Sequence, residues 1–202
     1  INRSVHALRQ WLLQNLAPDI LEVVPAYHSL AVYYSPVQIS FEVLALAIRG
    51  ADFSASLQQL DLRCIELPVC YDPRVAPDIE WLAEQAKLRI DDVIALHSQA
   101  VYRVYFLGFK PGFAYLGGLY PHLHTPRKDT PRLEVPAGSV GIGGVQTGVY
   151  PQSTPGGWQL IGRTATALFS PDQDPPCLLQ PGDRLRFKPI TWDEYLLQGG
   201  EV

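Results

Sequence analysis

Between Leu133 and Gly162 the chain carries a single charged residue, Glu134, across thirty positions. The same region is dense in backbone punctuation. Residues 108–157 hold eleven of the sixteen glycines and seven of the eighteen prolines. A long helix is excluded there, because glycine and proline in a helix interior cost about 1 and 3 kcal/mol each. A solvated loop is equally excluded, because such a loop would carry charge. What remains is a set of short strands joined by tight turns, with a surface that is buried or shaped against a ligand or partner.

The flanking sequence fits that reading. Residues 101–107, 159–161, 165–169 and 184–189 have strand composition, and Pro181-Gly182-Asp183 reads as a turn. Thr191 to Glu194 is a capping box opening a last helix. The expectation for residues 101–202 is a β-barrel domain. Upstream the pattern alternates. Val5, Leu8 and Leu12 predict a helix over 3–16, residues 20–24 and 30–34 predict a hairpin, and Ser40 is placed to cap a second helix that Gly50 stops. Ile65, Leu67 and Val69 alternate as a strand. Helix, hairpin, helix and strand predict a small ferredoxin-like α/β domain over 1–71 that lacks its first strand. Because the sequence begins at Ile1 rather than methionine, a preceding segment is expected to supply that strand. Asp78 and Asp91 are placed to cap two short helices in a bridge over 72–100. Asp91 and Asp92 give the second of these the wrong sign for a DNA-reading helix. The fold class is therefore α+β.

Composition narrows the function. A formal net charge of −4 with no basic stripe argues against nucleic-acid binding, and no apolar run is long enough for a membrane span. Cys64, Cys70 and Cys177 are an odd number in a chain large enough to fold without disulfides, so reduced thiols and a cytoplasmic location are expected. Their spacing does not suit zinc, and His122 and His124 have no third ligand nearby, so no metal site is expected. Gly141-Ile-Gly-Gly-Val-Gln146 lacks the third glycine of a dinucleotide turn, and no P-loop occurs. Ala137 to Gly141 is a degenerate nucleophile elbow without the helix that such an elbow needs.

Two groups of residues remain as candidates. His97 closes the second bridge helix, where it is either a packed interdomain side chain or an acid/base group. Arg127, Arg132 and Arg163 flank the uncharged stretch. They either capture a carboxylate or phosphate, or pair with acids such as Asp129 and Glu134.

Several segments then carry a resemblance. Gly108-Phe-Lys-Pro-Gly-Phe-Ala-Tyr-Leu-Gly-Gly118, the paired Thr-Pro-Arg motifs ending at Arg127 and Arg132, and Val135-Pro-Ala-Gly-Ser-Val140 are three of them. Gln146 to Tyr150, Pro155 to Trp158, Gly162-Arg-Thr164, Pro68 to Asp72, Ala76 to Asp78 and Leu96 to Ser98 are the others. Together they resemble the family of the 5-oxoprolinase B subunit, also called allophanate hydrolase subunit 1 or KipI.

The resemblance implies a cyclophilin-like barrel after a small α/β domain. It implies an ATP-dependent lactam hydrolase component acting with a related barrel partner, the C subunit, and with an amidohydrolase-like A subunit. ATP, with magnesium as its possible companion, would be bound by the complex and not tightly by this chain alone. Two alternatives come with the family: inhibition of a sensor histidine kinase, and half of a urea-type carboxyltransferase. Mapped onto the motifs, His97, Arg127 and Arg132 are the implied catalytic or anion-binding residues. Gln146 and Tyr150 would donate hydrogen bonds, Phe113, Tyr115 and Trp158 would wall the pocket or the partner interface, and Arg163 would contact substrate or partner.

Overall fold

A computed structural model describes residues 1–58 and 63–201. The chain divides into two compact units, Ile1–Leu62 and Arg63–Val202. In the first, α1 (Asn2–Asn15) packs Leu12 against the hairpin of β1 (Ile20–Pro25) and β2 (Leu30–Tyr34), whose Ile20 and Val23 complete a small core. The hairpin is antiparallel, with Val23 opposite Val32. The Ser40 hydroxyl caps α2 (Phe41–Arg49) by accepting the Val43 N–H at 3.4 Å. A short α3 (Ser54–Gln58) follows.

The second unit is built on a closed seven-stranded barrel, which agrees with the α+β class and the β-barrel expected. Its strands are β3 (Cys64–Cys70), β4 (Tyr102–Leu107), β5 (Ala114–Gly117), β7 (Ser139–Gly143), β8 (Gln146–Val149), β10 (Gln159–Arg163) and β11 (Arg184–Ile190). Around the barrel the order is β10-β3-β11-β4-β5-β8-β7, and β7 closes on β10. Every pairing is antiparallel except β3 with β11, which run parallel in continuous register from Cys64 opposite Arg184 to Cys70 opposite Ile190. Two further strands, β6 (Arg132–Val135) and β9 (Thr154–Gly156), form a separate ribbon.

Four expectations change. The alternating strand at 64–70 belongs to the barrel and not to the N-terminal unit, so the division falls before Arg63 instead of after residue 71. Helices α4 (Ile79–Ala86) and α5 (Ile90–Gln99) are not a bridge. Ile79, Leu82, Ala83 and Val93 sit in the main barrel-unit core. Residues 165–169 form no strand beyond an isolated bridge of Phe169 with Cys177, because Thr164 turns the chain by accepting the Thr166 N–H at 3.1 Å. The caps differ too: α5 begins two residues earlier, with Asp92 closing a box on Arg89, and Asp78 does not cap α4 with its side chain. All three cysteines are free; Cys70 is buried, but Cys64 is exposed and fills no core.

Candidate functional site

Alternation along β7 and β8 sets the site. Val140, Ile142 and Val149 point into the barrel core. On the opposite face of the same strands stand Gly141, Gly143 and Gly148, and over them lies the indole of Trp158. A methyl group at Gly143 would stand 2.5 Å from Trp158 Nε1, and one at Gly148 would stand 3.2 Å from its ring. The three glycines are a floor for the indole: a methyl group at Gly143 would displace it, and one at Gly141 or Gly148 would crowd it. Gly143→Ala is expected to displace the indole and destabilise the barrel unit by about 1–3 kcal/mol. Urea denaturation checks this, and unchanged stability with unchanged Trp158 emission would contradict the floor.

Trp158 then gathers Phe113, Val135, Tyr150 and Leu160 into a second cluster outside the barrel. The rings meet edge to face: Phe113 with Trp158 at 5.8 Å and 72°, Phe113 with Tyr150 at 5.8 Å and 72°, and Tyr150 with Trp158 at 6.3 Å and 77°. Such pairs add about 0.5–1.5 kcal/mol beyond burial. Burial pushes the Tyr150 phenol up, partly offset by a backbone hydrogen bond at Trp158 and by Arg127 and Arg132.

The cluster floors a cleft of about 170 Å³ lined by Phe109, Phe113, Tyr115, Arg127, Tyr150, Trp158 and the Pro155-Gly156-Gly157 turn. Arg127 supplies the charge. It takes part in no ion pair among the described residues, and its guanidinium lies 5.8 Å from the Trp158 ring centroid. No carboxylate lines the cleft. An aromatic-walled slot with one guanidinium outside any ion pair is suited to a small anion with an apolar body.

Arg132 works differently from the expectation. Its Nη2 lies 2.7 Å from Asp78 Oδ1, and its Nη1 donates to the Trp158 carbonyl at 3.4 Å. Asp78, whose side chain is 8% exposed, also takes Lys128 Nζ at 3.2 Å and the Leu160 N–H at 2.7 Å. Its own N–H returns to the Leu160 carbonyl at 3.0 Å. Burial raises the Asp78 carboxyl, but Arg132, the Leu160 N–H and Lys128 outweigh it and hold the group below its ordinary value. Asp78 thus ties the segment that carries Arg127 to β10 and to Trp158. Sequence reading misses it, because an aspartate one residue before a helix looks like a cap.

His97 is not at the site. It is fully buried, stacked at 4.5 Å and 19° on Phe187 in the main core. Thr147 Oγ1 donates to the Gly141 carbonyl at 3.0 Å, so it accepts from His97 Nε2 at 2.9 Å. His97 Nδ1 therefore accepts from the Tyr71 hydroxyl at 2.8 Å. Burial lowers its pKa to about 3, which overrides the helix C-terminus invoked for a charged imidazole. Gln146 begins β8 opposite Gly143 and is not among the lining residues. Arg163 lines a separate cleft, where it donates to the carbonyls of Ala137 and Glu201. Structure therefore assembles Arg127, Phe113, Tyr115, Tyr150 and Trp158, adds Phe109, and sets His97, Arg132, Gln146 and Arg163 apart. Among the described residues no three His, Cys, Asp or Glu side chains form a cation-binding group. No helix among them is long and apolar enough to cross a membrane.

The family profile described as carboxyltransferase domain, subdomain C and D, matches residues 1–179, and the chain belongs to that family. Its relatives include the 5-oxoprolinase B subunit of Bacillus subtilis strain 168, 41% identical over 96% of this chain and 86% of the relative. The protein of the same name from Escherichia coli O157:H7 is 47% identical over 85% of this chain and 79% of its own length. Among solved structures, PH0987 from Pyrococcus horikoshii is 45% identical with a TM-score of 0.65, covering 96% of this chain and 90% of that one. TTHA0988 is 41% identical with a TM-score of 0.82; 94% of this chain is covered, but it spans only 37% of that protein. The Kluyveromyces lactis urea carboxylase, at 21% identity and a TM-score of 0.68 over 96% of this chain and 20% of its own, shares the fold.

Proposed function

We propose that this chain is the B subunit of an ATP-dependent 5-oxoprolinase and that its external cleft holds the carboxylate of 5-oxoproline. The observation that carries the reading is Arg127: a guanidinium in no ion pair among the described residues, in the lining of a slot that holds no acid. The names of the relatives at 41–47% identity support the same assignment. A protein so named works in an assembly, and we place a related barrel protein and an amidohydrolase-like protein beside this chain in the cytoplasm.

A lactam carbonyl resists hydrolysis. ATP bound in the assembly would supply the phosphoryl group that makes the lactam oxygen a leaving group. The residues of this chain bind and orient. Arg127 takes the substrate carboxylate, Trp158, Tyr150 and Phe113 pack against the ring and exclude water, and Gly156 and Gly157 let backbone approach it. His97 moves no proton, being neutral and sealed in the core.

The test is ATP- and 5-oxoproline-dependent glutamate formation by the co-expressed assembly. Arg127→Ala is expected to raise KM about 10- to 100-fold, the loss of one charge-assisted hydrogen-bond pair worth about 1.5–3 kcal/mol. An assembly that makes no glutamate would overturn the assignment. An active assembly indifferent to Arg127→Ala would move the substrate elsewhere.

A further inference from the structure

Two non-glycine residues among those described hold a positive φ. Lys87, at 55°, ends α4 in an ordinary left-handed cap. Phe109, at 68°, ends no helix. The Lys110 N–H donates to the Gly108 carbonyl at 2.8 Å across it, and the Gly108 N–H reaches the Phe113 carbonyl at 3.1 Å. A three-residue turn with positive central φ is the rare and strained form. Glycine would occupy it freely. Burial does not explain the phenylalanine either: the residue is 57% exposed, and the edge-to-face partner of its ring is Phe113 at 5.4 Å. Strain kept at an exposed aromatic is a mark of function, and this ring is part of the cleft wall.

We propose that Phe109 is the specificity-determining residue of the cleft, its ring closing on the apolar body of a small carboxylate whose charge lies at Arg127. This rests on the 5-oxoproline reading and adds the group that selects the ligand's body. Selection follows from charge as well as shape. A ring amide N–H is neutral and meets the aromatic faces at no electrostatic cost. An ammonium meets Arg127 with no carboxylate in the lining to offset it, so free amino acids are rejected. Hydrolysis of the lactam creates an ammonium and a second carboxylate, and the opened product leaves. Five aromatic rings could also cage a quaternary ammonium; the guanidinium in the same lining decides against it.

Titration calorimetry on the full chain, free and in its assembly, with L-5-oxoproline, cyclopentanecarboxylate, L-proline and tetramethylammonium as probes, tests this alongside thermal melting. Phe109→Ala and Phe109→Gly are each expected to weaken both carboxylates about tenfold. Phe109→Gly should nevertheless melt about 2–4 °C above Phe109→Ala, because only glycine relieves the turn. L-proline should bind at least tenfold more weakly than 5-oxoproline. Unchanged carboxylate affinity in both variants overturns the role of Phe109 and leaves the 5-oxoproline reading standing. Loss of cyclopentanecarboxylate affinity in the variants, with no binding of 5-oxoproline to the wild type, overturns that reading and keeps Phe109. Equal melting of the two variants, no binding of either carboxylate, or tighter binding of tetramethylammonium or L-proline overturns the proposal.

Discussion

Asp78→Ala is expected to destabilise the barrel unit by about 3 kcal/mol, near the lower end for breaking a buried charge pair, because Arg132 and Lys128 keep partial access to water. For a unit of this size the melting midpoint should fall by roughly 6–12 °C. The carboxylate accepts from two cations and the Leu160 N–H, so its loss strands three donors together. Asp78→Asn keeps an acceptor for Leu160 and should recover about half of the loss.

The pH dependence has a definite sign. The folded Asp78 carboxyl is held below its ordinary value, so its stabilisation is complete above the unfolded pKa near ~4. It is lost as pH falls through the depressed folded value. The gap between wild type and Asp78→Asn should therefore close in acid. Denaturation curves between pH 7 and pH 3 measure this, and a gap constant with pH would show that Asp78 acts through packing alone. Because the same carboxylate holds Arg132 on the Trp158 carbonyl, Asp78→Asn should also raise KM for the cleft ligand more than it lowers kcat.

The second large effect concerns His97 and acid. His97 stays neutral in the folded protein down to about pH 3, whereas in the unfolded chain it binds a proton near pH 6.5. The unfolded state gains the proton first, so the stability that His97 gives is complete above pH 6.5 and drains away as pH falls toward 3. The slope is about 1.4 kcal/mol per pH unit. His97→Gln should cost about 3 kcal/mol at pH 7, since the Tyr71 and Thr147 hydroxyls lose their shared partner. Its stability curve should meet that of the wild type near ~pH 4. Parallel curves would mean that the imidazole takes up its proton in the fold as readily as in the unfolded chain. The pH profile of turnover should not carry a His97 titration in either case.

Some of this architecture is legible in the amino-acid order. The 20–34 hairpin, the Ser40 cap and the Thr191–Glu194 box depend on residues within a few positions of one another, and local pattern suffices for them. The strand at 64–70 is equally legible as a strand, yet its partner is not. Alternation specifies which side chains face inward, while the neighbour is a parallel strand 120 residues on, tied in by Arg63 on Asp183. Asp78 and His97 fail for a related reason. One has the sequence surroundings of a cap and the other those of a charged helix end, and both are claimed by distant groups: Arg132 and Leu160 in one case, Tyr71 and Thr147 in the other. The glycine and proline excess is readable as turns. That three of the glycines form a floor under an indole depends on strand pairing, which composition does not contain. Motif resemblance collects the cleft aromatics, and Phe109, one residue inside the same motif, escapes it because a positive φ leaves no mark in residue identity.

The parallel pairing of β3 with β11 also governs the order in which the protein is made. Residues 64–70 leave the ribosome 120 residues ahead of the strand that must lie beside them. At ordinary elongation rates that wait is roughly 6–24 s. Throughout it, the edges of β3 and β4 that β11 will cover are open templates for another nascent chain. Closure is then a late, long-range event, of the kind that folds slowly. Yield of this protein in cells should accordingly respond to translation speed and to chaperones that shield strand edges, more than to the stability of the finished barrel.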